Sequence, residues 1–302
     1  MMNQDPSARL NKRTMASHLW DGARRRQAGR TPLNVGIVVL CLMAAGCATS
    51  RTIASGERQA VIDRIVASSA KVIIEQGGHR TSSGSGVVVE SRTEEPSGQA
   101  VSYVLTAAHI LDGKEEVTVF VRFAGSPAGK EMFAATVIRQ GDSETLDLAL
   151  LRVPGIAVPA ALFAADDHVR IGEEILVVGF PWGKRLGMFS GIVSEVPADG
   201  KEEASASADE GTEQTIVVDA TSAKGVSGGG VFREATGSLV GVVEGYQTAS
   251  IAFKDRSQTY SVKVPMPSET FVVPIRRIRH FLDEAGLQVP SGEGQKIQDR
   301  KD

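Results

Sequence analysis

Short runs of β-branched and aromatic residues, parted by clusters of glycine, proline and aspartate, recur along most of this 302-residue chain. They predict strands at Val72–Ile74, Val87–Val89, Tyr103–Thr106, Val117–Phe123, Ala134–Arg139 and Leu148–Val153. After a link rich in Pro and Ala come Ile175–Val178, Gly191–Val196, Thr215–Val218, Val231–Phe232, Leu239–Val243 and Phe271–Val273. Parallel strands need long helical crossovers, and none separates these runs. The pattern therefore favours closed antiparallel barrels over a βαβ sheet. Ser82 to Gly86 reads as a glycine-serine turn into the second strand. Val61, Ile62, Ile65 and Val66 recur at helical spacing and predict a short amphipathic helix. Ile275, Ile278, Phe281, Leu282 and Ala285 share one face of a second helix, with Pro274 at its start and Gly286 past its end. Asp199 to Gln214 reads as an exposed acidic loop, and the tail from Pro290 as a polar, unstructured end.

The first fifty residues have a different character. Arg24, Arg25, Arg26 and Arg30 precede an apolar run, Val35 to Ala45, which closes on Ala44-Ala45-Gly46-Cys47. A basic stretch, a short apolar run and small residues describe an export signal. The run falls short of the roughly 20 residues that span a bilayer. Both cysteines, Cys41 and Cys47, lie in this segment, so the exported body is expected to hold together without a disulfide. The formal net charge is −3, with no basic excess to neutralise phosphates, so nucleic-acid binding is not expected. His79, His168 and His280 lack ligand-spaced partners, so neither a zinc site nor any cofactor is expected.

Three scattered residues carry the chemistry. His109 follows Thr106-Ala107-Ala108, Asp147 heads the apolar run Leu148 to Leu151, and Ser227 lies in Gly225-Val226-Ser227-Gly228-Gly229. Each has an ordinary reading alone: a helix start, a strand-end turn, a glycine-rich turn. Together they supply what a serine nucleophile needs. An imidazole takes the hydroxyl proton, and a buried carboxylate fixes the tautomer of that imidazole. The order His, Asp, Ser belongs to chymotrypsin-type enzymes and differs from the subtilisin and α/β-hydrolase orders. Backbone N–H groups of Gly225 and Ser227 are the candidates for an oxyanion hole.

The blocks around these residues resemble the chymotrypsin-fold serine proteases, and most of all the protease domain of the Deg/HtrA family. Gly84-Ser85-Gly86 and Tyr103 to Thr106 match the approach to the histidine. Gly172-Glu173, Val177 to Gly183 and Ser190 to Ser194 match the start of a second barrel. Asp219-Ala220 stands eight and seven places before the serine, and Phe271 to Pro274 leads into the terminal helix. The resemblance runs from about Val61 to Leu287. It implies an all-β fold of two perpendicular six-stranded barrels with the site between them, and no cofactor. It also places Thr221, Glu244, Tyr246 and Thr270 around the primary substrate pocket. Thr221 near its floor and Thr270, which narrows it, supply no buried carboxylate to select Lys or Arg, which points to cleavage after small or medium aliphatic residues. Glu244 and Tyr246 would narrow the entry or favour a basic residue.

The departures are informative. Val226 replaces the usual Asn or Asp before the serine, and in secreted trypsin-like enzymes an Asp there pairs with a freshly cut N-terminus to order the oxyanion loop. Valine cannot, so other contacts must order it. Gly230 replaces a proline. No segment for a PDZ domain follows the terminal helix, so substrate tethering through one is not expected. Cys47 after Ala-Gly resembles the lipobox of bacterial lipoproteins, with Ala44 where Leu, Val or Ile is usual.

The expected organisation is a targeting segment (1–47), a tether (48–57), a trypsin-like protease domain (58–289) and a tail (290–302). The expected function is a serine endopeptidase of the bacterial cell envelope, exported and held to a membrane by a lipid on Cys47 or by its signal. It would act on polypeptides, in protein quality control or on a specific envelope partner, with homo-oligomerisation open. The alternative is a catalytically silent, protease-like scaffold.

Overall fold

The structure, a computed structural model, describes residues 56–112, 117–125, 131–197, 215–220, 223–255 and 258–289. The expected export segment, Cys47, the acidic loop, the polar tail and Thr221 lie outside the described residues. The helix expected near Val61 is present over residues 56–67 (α1) and takes in the last two residues of the expected tether. Among the described residues no helix is long and apolar enough to cross a membrane.

Two closed antiparallel barrels of six strands follow. The first holds β1 (Ser69–Gln76), β2 (His79–Glu94), β3 (Gln99–Thr106), β4 (Val117–Phe123), β5 (Phe133–Gln140) and β6 (Ala149–Pro154). It closes where β1 pairs β4, from Ala70↔Phe123 to Gln76↔Val117. The second holds β7 (Glu174–Gly179), β8 (Gly187–Glu195), β9 (Ile216–Asp219), β10 (Gly230–Arg233), β11 (Leu239–Asp255) and β12 (Gln258–Pro274). It closes where β10 pairs β7, from Gly230↔Val178 to Arg233↔Ile175.

Strand alternation explains why so many runs are apolar at every position. On β6, Ala149, Leu151 and Val153 point into the first barrel, while Leu150, with Leu148 just before the strand, joins a separate cluster outside it. On β7, Ile175 and Val177 fill the second barrel, while Leu176 and Val178 join that same outer cluster. The outer cluster draws on both barrels and on the helix Ile275–Glu284 (α2), through Ile275, Ile278, Phe281 and Leu282. It is the seam that fixes one barrel against the other, and residues on successive positions are buried on opposite faces. At the end of α2 the Leu287 N–H donates to Leu282 O at 2.9 Å, and the chain leaves through Gly286 at φ +75°.

Two local expectations change. The supposed turn at Ser82–Gly86 lies inside β2, paired with β1 through Ser85↔Lys71. Its glycines answer crowding: a Cβ on Gly86 would come within 2.6 Å of Val104 Cγ1. The actual turn is Gly77-Gly78, two left-handed residues (φ +58° and +78°) closing the Gln76↔His79 pair, as a tight hairpin demands. Strands β11 and β12 also run well past the barrel. They pair as far as Asp255↔Gln258, with the rings of Phe253 and Tyr260 stacked 5.7 Å apart.

Candidate active site

His109 sits in a single 3-10 turn, Ala108–Ile110, just past the end of β3. Ala108 and Ile110 are buried and anchor the turn in the first barrel, so the imidazole between them is turned outward, with 43% of its side chain exposed. Asp147 precedes β6 and is 3% exposed. Its carboxylate grips His109 twice: Oδ1 accepts the backbone N–H at 2.8 Å, and Oδ2 lies 2.6 Å from Nδ1. A carboxylate only accepts, so Nδ1 carries the hydrogen and the Nε2 lone pair faces away from Asp147. The hydrogen bond from His109 Nδ1–H to Asp147 raises the His109 pKa above its ordinary value. Burial pulls the other way, and the charges of Asp147, Asp112 and Glu244 add to the rise.

The Gly225–Gly229 turn lies between β9 and β10 of the second barrel and packs on β2 of the first, where the Ser85 N–H donates to Ser227 O at 2.8 Å. Val226 N–H donates to Ala223 O at 3.0 Å, Gly229 N–H to Val226 O at 2.8 Å, and Gly228 N–H to Val243 O on β11 at 2.7 Å. Gly228 stands at φ +83°, and a Cβ there would lie 2.2 Å from Ser85 O and 2.4 Å from Thr106 Oγ1. The backbone beside Ser227 thus packs on the strand end that leads into His109, and only glycine permits that approach. Val226 is fully buried in the core of the second barrel. Two N–H groups of the turn, those of Gly225 and Ser227, meet no acceptor among the described residues.

A neighbouring turn braces this one. Trp182, at φ +56° the single non-glycine residue of the described chain with positive φ, donates its N–H to Lys224 O at 2.6 Å. Lys71, buried in the first barrel, donates to Gly183 O of the same turn. Burial, then the charges of Arg80 and Arg122, lower the Lys71 pKa.

The pocket candidates separate. Thr270 is buried, with its hydroxyl donating to Ala220 O at 3.0 Å, and pairs across strands with Tyr246, which is partly exposed. Glu244 occupies a bulge of β11, one residue beyond the Val243 that pairs with Gly228 and Gly229. Burial raises its carboxyl pKa, and the Asp147 charge raises it further, against Arg277 and His109. Glu244 therefore belongs electrostatically to the His109–Asp147 pair. Sequence reasoning overlooked Ser85 and Trp182 as parts of this region. The signal for Ser85 was its place between two glycines, where a strand can meet another segment closely.

The matching known proteins agree with this architecture. The family model of the trypsin-like peptidase domain matches residues 84–242. The "Probable periplasmic serine protease do/HhoA-like" of Haemophilus influenzae is 32% identical over 164 residues, covering 53% of this chain and 30% of that protein. The "Periplasmic pH-dependent serine endoprotease DegQ" of Escherichia coli is 28% identical over 160 residues, 53% of this chain and 30% of its own length. This chain thus spans less than a third of those relatives. Among solved structures, a serine endoprotease of Yersinia pestis superposes with a TM-score of 0.54 at 18% identity, over 76% of this chain and 66% of that one. An inactive mutant of Rv3671c from Mycobacterium tuberculosis gives 0.50 at 23% identity, over 75% and 90%. At such identities these superpositions speak for the double-barrel fold alone. With the family model spanning more than half of its length, the chain belongs to the trypsin-like peptidases.

Proposed function

We propose that this protein is a serine endopeptidase of the bacterial cell envelope. The carrying observation is the two-point grip of Asp147 on His109, with the backbone next to Ser227 packed on the strand end that leads into His109 and two N–H groups of its turn without an acceptor among the described residues. Ser227 Oγ attacks the scissile carbonyl carbon while His109 Nε2 takes the hydroxyl proton. The carbonyl oxygen, now an anion, is received by the N–H groups of Gly225 and Ser227. As the intermediate collapses the C–N bond breaks, and the leaving amine takes the proton from Nε2. Water, deprotonated by the same nitrogen, then attacks the acyl-serine, and the acid product leaves as Ser227 regains its proton. Asp147 keeps the imidazole in the right tautomer and stabilises its charged form.

Two related proteins carry "periplasmic" in their names, which supports placement outside the cytoplasm alongside the export-like first 47 residues. Lipid attachment at Cys47 is part of the proposal, as is action on partly unfolded envelope proteins. Thr270 and Tyr246 are the proposed lining of the primary pocket, which favours small aliphatic residues before the cleaved bond. The test is labelling by a fluorophosphonate with casein digestion, on wild type and Ser227→Ala. Labelling and cleavage by wild type alone support the reading. An unlabelled wild type makes the chain a silent scaffold. Sequenced products dominated by cleavage after Arg would refute the pocket assignment.

A further inference from the structure

Ser85 bonds through every polar atom it has, and to segments of both barrels. Its N–H donates to Ser227 O at 2.8 Å, and its carbonyl accepts from Thr106 Oγ1 at 2.6 Å. Its hydroxyl accepts the Phe180 N–H at 2.8 Å and donates to Gly225 O at 2.7 Å. The residue is fully buried. Ser85 therefore holds the carbonyls of residues 225 and 227 from the side of the first barrel. Trp182, from the other side, holds the carbonyl of Lys224, whose peptide unit carries the Gly225 N–H. A peptide unit is planar, so the hold on the Lys224 carbonyl aims the Gly225 N–H, while Ser85 fixes the Gly225–Val226 unit that lies between the two donors. Val226 between these anchors carries no charge and is packed in the core, so no ion pair at that position helps to order the turn.

We propose that Ser85 is a positioning residue for catalysis, its hydroxyl holding the nucleophile turn in the shape that presents the Gly225 and Ser227 N–H groups to the substrate carbonyl. This deepens, and rests on, the peptidase reading. Loss of the hydroxyl leaves Gly225 O and Phe180 N–H, both on buried residues, without that partner. There is little room for a replacement: a Cβ on Gly179 would lie 2.7 Å from Ser85 Oγ. The nearest way for those groups to reach water is rotation of the turn toward the cleft, which misdirects the donors. The two barrel cores and the seam do not include Ser85 and remain intact.

The experiment compares full-length wild type, Ser85→Ala and Ser85→Cys, by fluorophosphonate labelling, kcat and KM on a peptide substrate, and inhibition by a peptide boronate. The expected result for Ser85→Ala is a kcat about 10- to 100-fold lower, below the roughly 100- to 1,000-fold cost of deleting a donor outright, with KM unchanged. Boronate affinity falls by a similar factor, because that adduct alone mimics the oxyanion. Ser85→Cys, with a weak S–H donor, recovers part of the loss. A folded Ser85→Ala protein with wild-type kcat, or a loss confined to KM, overturns the proposal. Should Ser85→Ala fail to fold, Ser85→Cys decides by the same criterion, a lowered kcat at constant KM supporting and an unchanged kcat refuting. If wild type itself is not labelled, the peptidase reading falls and this proposal with it. Labelled wild type beside an unimpaired Ser85 variant rejects Ser85 alone.

Discussion

Asp147→Asn isolates what the buried carboxylate contributes. Asparagine keeps the size of the side chain and one acceptor oxygen, so the 2.8 Å bond from the His109 N–H can survive. The amide nitrogen then faces Nδ1, now 2.6 Å from Oδ2. An NH₂ group donates, so Nδ1 must accept, and the ring hydrogen moves to Nε2, where a lone pair is needed to receive the serine proton. Such a tautomer switch costs about 10⁴-fold in kcat in a serine protease of the same triad, or about 5.5 kcal/mol of activation free energy. A second signature is the pH profile. Asp147 is the largest cause of the raised His109 pKa, by hydrogen bond and by charge. In wild type, activity is lost as pH falls through that raised value, because the base becomes protonated. Removing the carboxylate lowers the pKa, so the residual activity of the variant persists to lower pH. Full pH–rate profiles of kcat/KM for both proteins provide the assay. A variant within threefold of wild-type kcat, or an acid limb that stays in place, would refute the assigned role of Asp147.

Three further outcomes are expected. Glu244→Gln removes a negative charge that raises the His109 pKa, so the acid limb of kcat/KM moves to lower pH, by less than in Asp147→Asn because Glu244 is the weakest of the causes. Phe281→Ala empties a fully buried site in the seam and costs about 3–5 kcal/mol by urea denaturation, against less than 0.5 kcal/mol for an exposed control such as Glu57→Gln. Gly228→Ala sets a methyl 2.2 Å from Ser85 O, so fluorophosphonate labelling falls at least tenfold even where circular dichroism shows a folded chain.

Strand identity was largely readable in the one-dimensional pattern, because β-branched runs bounded by turn formers leave few alternatives. Where that reading slipped, at Ser82–Gly86, local composition pointed to a turn while pairing with β1 made a strand. Gly84 and Gly86 look like turn glycines until the side chains above them are known. The long β11–β12 ribbon was also underestimated, although Ile251 and Phe253 alternate as strand residues do. Short apolar islands in a polar context give only a weak periodic signal.

His109, Asp147 and Ser227 could be put forward as candidates from the primary sequence because chemistry restricts residue type: a proton acceptor, a carboxylate and a hydroxyl, in a family-specific order. Tertiary structure alone decided through which atoms His109 and Asp147 meet. The Nδ1–Oδ2 contact, the coupling of Glu244 to that pair and the anchoring of the turn by Ser85 and Trp182 join residues 38 to 142 positions apart. Residue type follows from what a reaction requires, and a sequence displays it. Hydrogen-bond direction and electrostatic coupling depend on ångström-scale distances between segments, which exist only once the barrels have closed and packed along their shared seam.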